Sequence, residues 1–278
     1  MKDNTILYVK KSQLANPWIY FLATYAWTWL FFGIAYALGL SGETGGITGA
    51  VLVLLALGGP TITAMMFINF ALNENGRKDY WKRITDYKRI PVKWYLIIFL
   101  FVPAITILAD ILSGYWNVYL FTNKFPSLLL AIIVVPVVPI IEELGWRGYV
   151  LDRLQEKYSP MTSSLILGTL WGLWHLPAFI LPGGALSVIP LASFAFWMYL
   201  INLIVFSICF TWIYNNTNRS TLSAILFHIV LEFSANTGLI PWDRPEHFYN
   251  VVIWSLIAVG ILISLQKQHL KYRHPARI

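Results

Sequence analysis

Eight apolar runs, each about as long as a bilayer is thick, constrain this chain more than anything else in it: 17–40, 47–72, 94–113, 127–150, 162–181, 190–213, 220–239 and 248–265. A helix needs about 20 mostly apolar residues to cross the hydrocarbon core. Lipid offers no partner for backbone N–H and C=O groups, so a spanning segment must satisfy its own, which helices do. The runs therefore predict an all-α, polytopic integral membrane protein of about eight transmembrane helices, forming one domain over residues 1–278 with no soluble appendage long enough to fold alone. Composition agrees, with 58% hydrophobic residues and only 12% charged, about half the charge of a typical soluble domain. The first run is too long for a signal-peptide core, so we read it as a retained helix and not as a cleaved leader.

The basic residues predict the orientation. Lys2, Lys10 and Lys11 precede the first run, and Arg77, Lys78, Lys82, Arg83, Lys88, Arg89 and Lys93 follow the second. Arg153, Lys157, Arg219, Lys267, Lys271, Arg273 and Arg277 join them on the same side if the spans alternate. The opposite loops keep only Lys124 and Arg244. The positive-inside rule then puts both termini in the cytoplasm of a multi-pass plasma-membrane protein. The net charge of +7 is on this reading topological, a contact with anionic lipid heads and not a nucleic-acid footprint. A surface helix within about 73–92 is expected to set Tyr80, Trp81 and Tyr87 at the interface. Cys209, the single cysteine, lies inside the sixth run and reads as a packing residue.

Against this apolar background, charges inside the runs stand out. Ionisable groups at membrane depth are costly and mark pathways or reaction sites. Pro-Ile-Ile-Glu-Glu-Leu-Gly-Trp-Arg-Gly at 139–148 places Glu143 and Arg147 four residues apart on one helix face, where they can pair. Glu142 is turned about 100° away and stays available as a reactive carboxylate. In the fifth run, Gly168, Gly172 and His175 share a face whose small residues let a neighbouring helix approach closely, and Trp171 shields the imidazole from lipid. In the seventh, His228, Glu232 and Asn236 follow one another at four-residue intervals along one stripe. Pro139 and Pro177 are candidate kinks. Glu142, Glu143, His175 and His228 are expected to converge on one polar intramembrane cavity.

Glu-Glu-x-x-x-Arg at 142–147, Trp-x-x-x-His at 171–175 and Phe-His-x-x-x-Glu at 227–232, in that order on separate runs, resemble the CAAX protease and bacteriocin-processing (CPBP) family of intramembrane proteases, including its type II CAAX prenyl endopeptidases. The motif-bearing core spans about 125–240, and Gly-Gly-Pro at 58–60 adds a weaker echo. The resemblance implies hydrolysis of a peptide bond in a membrane-associated, prenylated or otherwise lipid-embedded substrate. It makes Glu142 the general base for a water, His175 its assistant, and His228 with its i+4 partner the stabiliser of the oxyanion. That partner is usually asparagine in the family and is Glu232 here. An ionised carboxylate cannot donate a hydrogen bond, so Glu232 must be protonated, bind metal or cede the role to a group such as Asn236. Two histidines and Glu142 also make up a catalytic zinc set, so a zinc and a metal-free route both stand at this point. A second class of function keeps the cavity without the chemistry: a scaffold or bacteriocin-immunity protein that binds a peptide or partner there. A proton-coupled transporter, using the glutamates as a relay, is a third.

Overall fold

The computed structural model describes residues 15–40, 45–112, 114, 132–184, 186–234 and 245–273, and among them every regular element is helical. Helix α1 (Pro17–Ala37) starts where the Asn16 side chain accepts from the Trp18 N–H and Pro17 takes the first helical position, both standard start signals. Helices α2 (Gly46–Leu57) and α3 (Gly59–Ala71) form the second apolar run, bent by 49° at Gly58 and Gly59. The bend frees carbonyls at the end of α2, and α1 caps them: Trp27 donates to Leu55 O at 2.9 Å and Thr28 to Ala56 O at 2.7 Å. A side chain at Gly59 would collide with Thr28.

Helix α4 (Glu74–Thr85) is the short amphipathic helix anticipated between the second and third runs, capped by Asn73 accepting from the Gly76 N–H at 2.9 Å. Trp81 and Tyr87 are exposed as expected, whereas Tyr80 is fully buried. Its ring turns inward because its hydroxyl caps a backbone carbonyl described below. The third run comprises α5 (Val92–Leu96), a π-helical turn (Ile97–Phe101) and α6 (Val102–Leu112). The fourth holds α7 (Val137–Gly145) and a second π-helical turn (Trp146–Val150), and α8 (Leu151–Gln155) follows it. The break ahead of α7 falls at Pro136, not at Pro139, which lies in the first turn of α7, where a missing N–H costs nothing. Pro177 does mark a break, between α9 (Pro160–Trp174) and α10 (Leu176–Ile180). Helices α11 (Phe194–Asn216), α12 (Thr221–Ser234) and α13 (Pro245–Arg273) follow.

Helix α11 is the hub, packed on α9, α12 and α13. A Cβ at Gly168 would come within 2.7 Å of Ile204 Cα and one at Gly172 within 3.2 Å of Leu200, so the small residues of α9 admit α11 at close range. Every apolar run carries a helix, and among the described residues four helices are long and apolar enough to cross a membrane, or five with the bent pair counted as one span. The last two runs carry shorter apolar helices, Thr221–Ser234 and Phe248–Ser264. The fold is thus an all-α polytopic one, with four to five spans among the described residues; the expected count of about eight draws in part on residues 127–131, which lie outside them.

Candidate active site

The site is built around α7, which is held rigidly from behind. Gly145 faces the Pro60 carbonyl and the Tyr20 hydroxyl so closely that any Cβ there would collide with both. Tyr20 donates to Pro60 O at 2.9 Å, and Thr61 donates to Ile141 O. Just beyond, the helix widens into the π turn, where the Leu151 N–H reaches back five residues to Trp146 O. Such turns leave carbonyls without their usual partner and recur at functional sites. Here α4 supplies partners, Tyr80 donating to Leu144 O at 3.0 Å and Arg83 to Gly148 O at 3.0 Å.

Glu143 and Arg147 are completely buried and joined at 2.8 Å through Glu143 Oε1, the pair their spacing predicts. The guanidinium lies over the Phe210 ring at 3.8 Å and the Trp171 ring at 4.7 Å, a cation–π arrangement. His228, from α12, places Nδ1 2.9 Å from the same Glu143 oxygen. Glu143 is therefore a hinge between α7 and α12, and it does not itself line the cavity. The expectation of four convergent groups is corrected on this point: i+4 spacing turns Glu143 toward Arg147 and away from the opening.

Glu142, 2% exposed, points elsewhere and takes no part in an ion pair among the described residues. Its Oε2 accepts the Trp171 indole N–H at 2.7 Å. Trp171 thus orients the carboxylate as well as flanking the imidazole one turn later. His175, at the end of α9, sets Nδ1 2.8 Å from the Trp171 carbonyl. That contact requires a proton on Nδ1 and leaves the Nε2 lone pair as the acceptor. The Trp174 and Tyr199 rings pack edge-on against His175, at centroid distances of 4.7 Å and 5.6 Å.

Glu142, His175, His228 and Glu232 all line one cavity of about 100 Å³, with room for several waters. Glu232, on α12, is 42% exposed and lies 3.8 Å from His228 Nε2, beyond hydrogen-bonding reach. Asn236, the other candidate for the asparagine role, lies outside the described residues. Among the described residues no group of three His, Cys, Asp or Glu side chains is arranged to hold a metal ion. Sequence reasoning missed Asn202 of α11, which is 3% exposed and lines the same cavity. The signal was available, because an uncharged amide in the middle of an apolar run is costly for the same reason as a carboxylate.

A family model described as type II CAAX prenyl endopeptidase Rce1-like matches residues 124–234, the segment that holds all three motifs. A CAAX prenyl protease 2 from Methanococcus maripaludis is 27% identical over 264 residues, covering 91% of this chain and 95% of its own. The resemblance drawn from the motifs thus extends beyond them, and both comparisons support an intramembrane protease.

Proposed function

From the match to the type II CAAX prenyl endopeptidase model as premise, we propose that this chain is an intramembrane endopeptidase that cleaves a peptide bond in a membrane-associated, prenylated or otherwise lipid-embedded protein, with Glu142 activating the water. One observation carries the reading: Glu142, oriented by a neutral indole and unpaired with any cation among the described residues, faces the same cavity as His175 and His228. General-base work needs a carboxylate within reach of a water and not neutralised by a fixed cation.

The chemistry divides as follows. A water in the cavity gives a proton to Glu142 as its oxygen attacks the carbonyl carbon, while the Nε2 lone pair of His175 accepts from the same water and orients it. The carbonyl oxygen takes the negative charge. His228, held at Nδ1 by Glu143 and protonated on Nε2, donates to that oxygen. The tetrahedral intermediate collapses with cleavage of the C–N bond, and Glu142 returns its proton to the leaving amine. Glu143 and Arg147 are positioning residues that set the His228 ring and the α7 axis. This route uses no metal, and chelator should leave the purified protein active.

Orientation is part of the proposal, with both termini in the cytoplasm on the strength of the basic-residue asymmetry; reporter fusions after 45, 85 and 278 check it. The departure at Glu232 favours one rival, an inactive scaffold that uses the same cavity to bind a peptide. A quenched fluorescent peptide ending in a farnesylated CAAX sequence separates the two. Cleavage by the wild type and none by Glu142→Gln supports the protease, whereas binding without cleavage by both supports the scaffold.

A further inference from the structure

The donor that Glu232 is ill suited to be has a replacement on another helix. Asn202 sits mid-way along α11, 3% exposed, with no hydrogen bond to either amide atom among the described residues; its Oδ1 is buried without a partner. Buried amides are normally engaged, and one that is not costs stability, so such a group calls for an explanation. Its position supplies one. Tyr199, one turn before it on α11, packs on His175, and Phe210, two turns after it, packs on His228 at 5.4 Å. Asn202 therefore lies on the helix stripe that runs past both imidazoles, facing the cavity they share with Glu142. Two other polar groups there are less apt. Thr106 already donates to Val102 O at 3.2 Å, and Glu232 has no proton to give when ionised.

The geometry points to Asn202 as a further catalytic residue, whose side-chain amide donates to the scissile carbonyl oxygen of the substrate as negative charge develops there. The assignment rests on the protease reading above. In the attack step Glu142 takes the water's proton, the new C–O bond pushes the carbonyl electrons onto oxygen, and Asn202 with His228 holds that oxygen. When the C–N bond breaks, the electrons return to the carbonyl and the proton on Glu142 passes to the amine. Asn202 neither gains nor loses a proton. An unengaged amide in the resting protein fits this task, because no internal bond has to break before it meets the substrate.

The test uses full-length protein in detergent or vesicles and the farnesylated CAAX peptide, with kcat and KM measured separately. Asn202→Ala and Asn202→Asp are expected to lower kcat by about 10²–10³-fold, the usual loss for one oxyanion donor, with KM within about threefold. Asn202→Leu keeps the branched shape of four heavy atoms and removes the unmatched amide, so its thermal midpoint should equal or exceed the wild type while kcat still falls. A merely structural asparagine would give the reverse: a lower midpoint and an unchanged kcat per folded molecule. Wild type that cleaves while all three variants stay within threefold overturns the Asn202 assignment alone, as does a kcat loss that follows Asn250→Ala, at the other buried amide lining the cavity, on α13, and not Asn202→Ala. Wild type that leaves the peptide intact overturns the protease reading and the assignment with it.

Discussion

Two buried carboxylates lie a few turns apart on the same length of chain, and they are built on opposite principles. Just past the fourth run, Asp152 is saturated. Its Oδ1 accepts from Tyr214 at 2.8 Å and from Arg219 at 3.2 Å, and its Oδ2 meets Arg83 at 2.9 Å and a second Arg219 nitrogen. Asp79 extends the cluster by bridging Arg83 and Arg89. Three turns earlier, Glu142 has one donor, a neutral indole, and opens onto a cavity. Buried carboxylates whose lone pairs are all engaged join helices; one left with an idle oxygen beside an empty space can do chemistry. The contrast separates anchor from reagent without reference to any motif.

The largest effect should come from Glu142→Gln, which removes the base at constant size: peptide cleavage falls by roughly 10²–10⁴-fold while the yield of folded protein in the membrane is unchanged. Glu143→Gln should do something else. It strips the fixed charge from between Arg147 and His228, so thermal unfolding should report a loss of about 3–5 kcal/mol, the usual result of orphaning a buried ion, together with reduced cleavage. Asp152→Asn should match that loss of stability, about 3–5 kcal/mol, yet keep kcat per folded molecule. If it abolished turnover with stability intact, the division between anchor and reagent would collapse.

The anchor also has a pH signature. Burial alone would raise the Asp152 pKa, but Arg219 and Arg83 outweigh it and hold the carboxyl below its usual range. A depressed folded-state pKa contributes stability that is complete above the unfolded value, about 3.9, and is lost as pH falls through the folded one. The gap in thermal midpoint between wild type and Asp152→Asn should therefore be flat from pH 7 to about 5 and narrow below about 4. The smallest effect belongs to Glu232→Gln. This side chain is half exposed and beyond hydrogen-bonding distance of His228, so cleavage should stay within about tenfold of wild type, where loss of a metal ligand or essential base would cost far more.

Most of the α7 chemistry was legible because it depends on spacing within a single helix. Glu143 to Arg147 is an i, i+4 pair in any α-helix, and Gly168, Gly172 and His175 fall on one face whatever packs there. The bond from Trp171 to Glu142 and the lack of a partner for Asn202 were obscure for the opposite reason. Whether an indole touches Glu142, or an amide finds no partner, is decided by which helices meet and at what height, and apolar runs of similar character do not encode that. The inward turn of Tyr80 was hidden in the same way, since its partner, Leu144 O, has no distinguishing side chain. Helix ends were less legible than helix existence, because hydropathy registers where apolar residues are, while ends are decided by breaks such as Pro136 and Gly58.

The π turn at Trp146–Val150 has a further consequence. An α-helix advances by about 100° per residue, so the one extra residue accommodated in a wide turn rotates everything after it relative to everything before it. Glu142 and Asp152 thus keep their separate bearings, one toward the cavity and one toward Arg83 and Arg219, only while the turn retains its residue count. Each half can drift by substitution without disturbing the other, but loss of a single residue between them would swing the anchor off its cations or the base off its cavity. The turn acts as a phase lock, and in descendants of this chain the length of the segment between Glu142 and Asp152 should be harder to change than most of the residues in it.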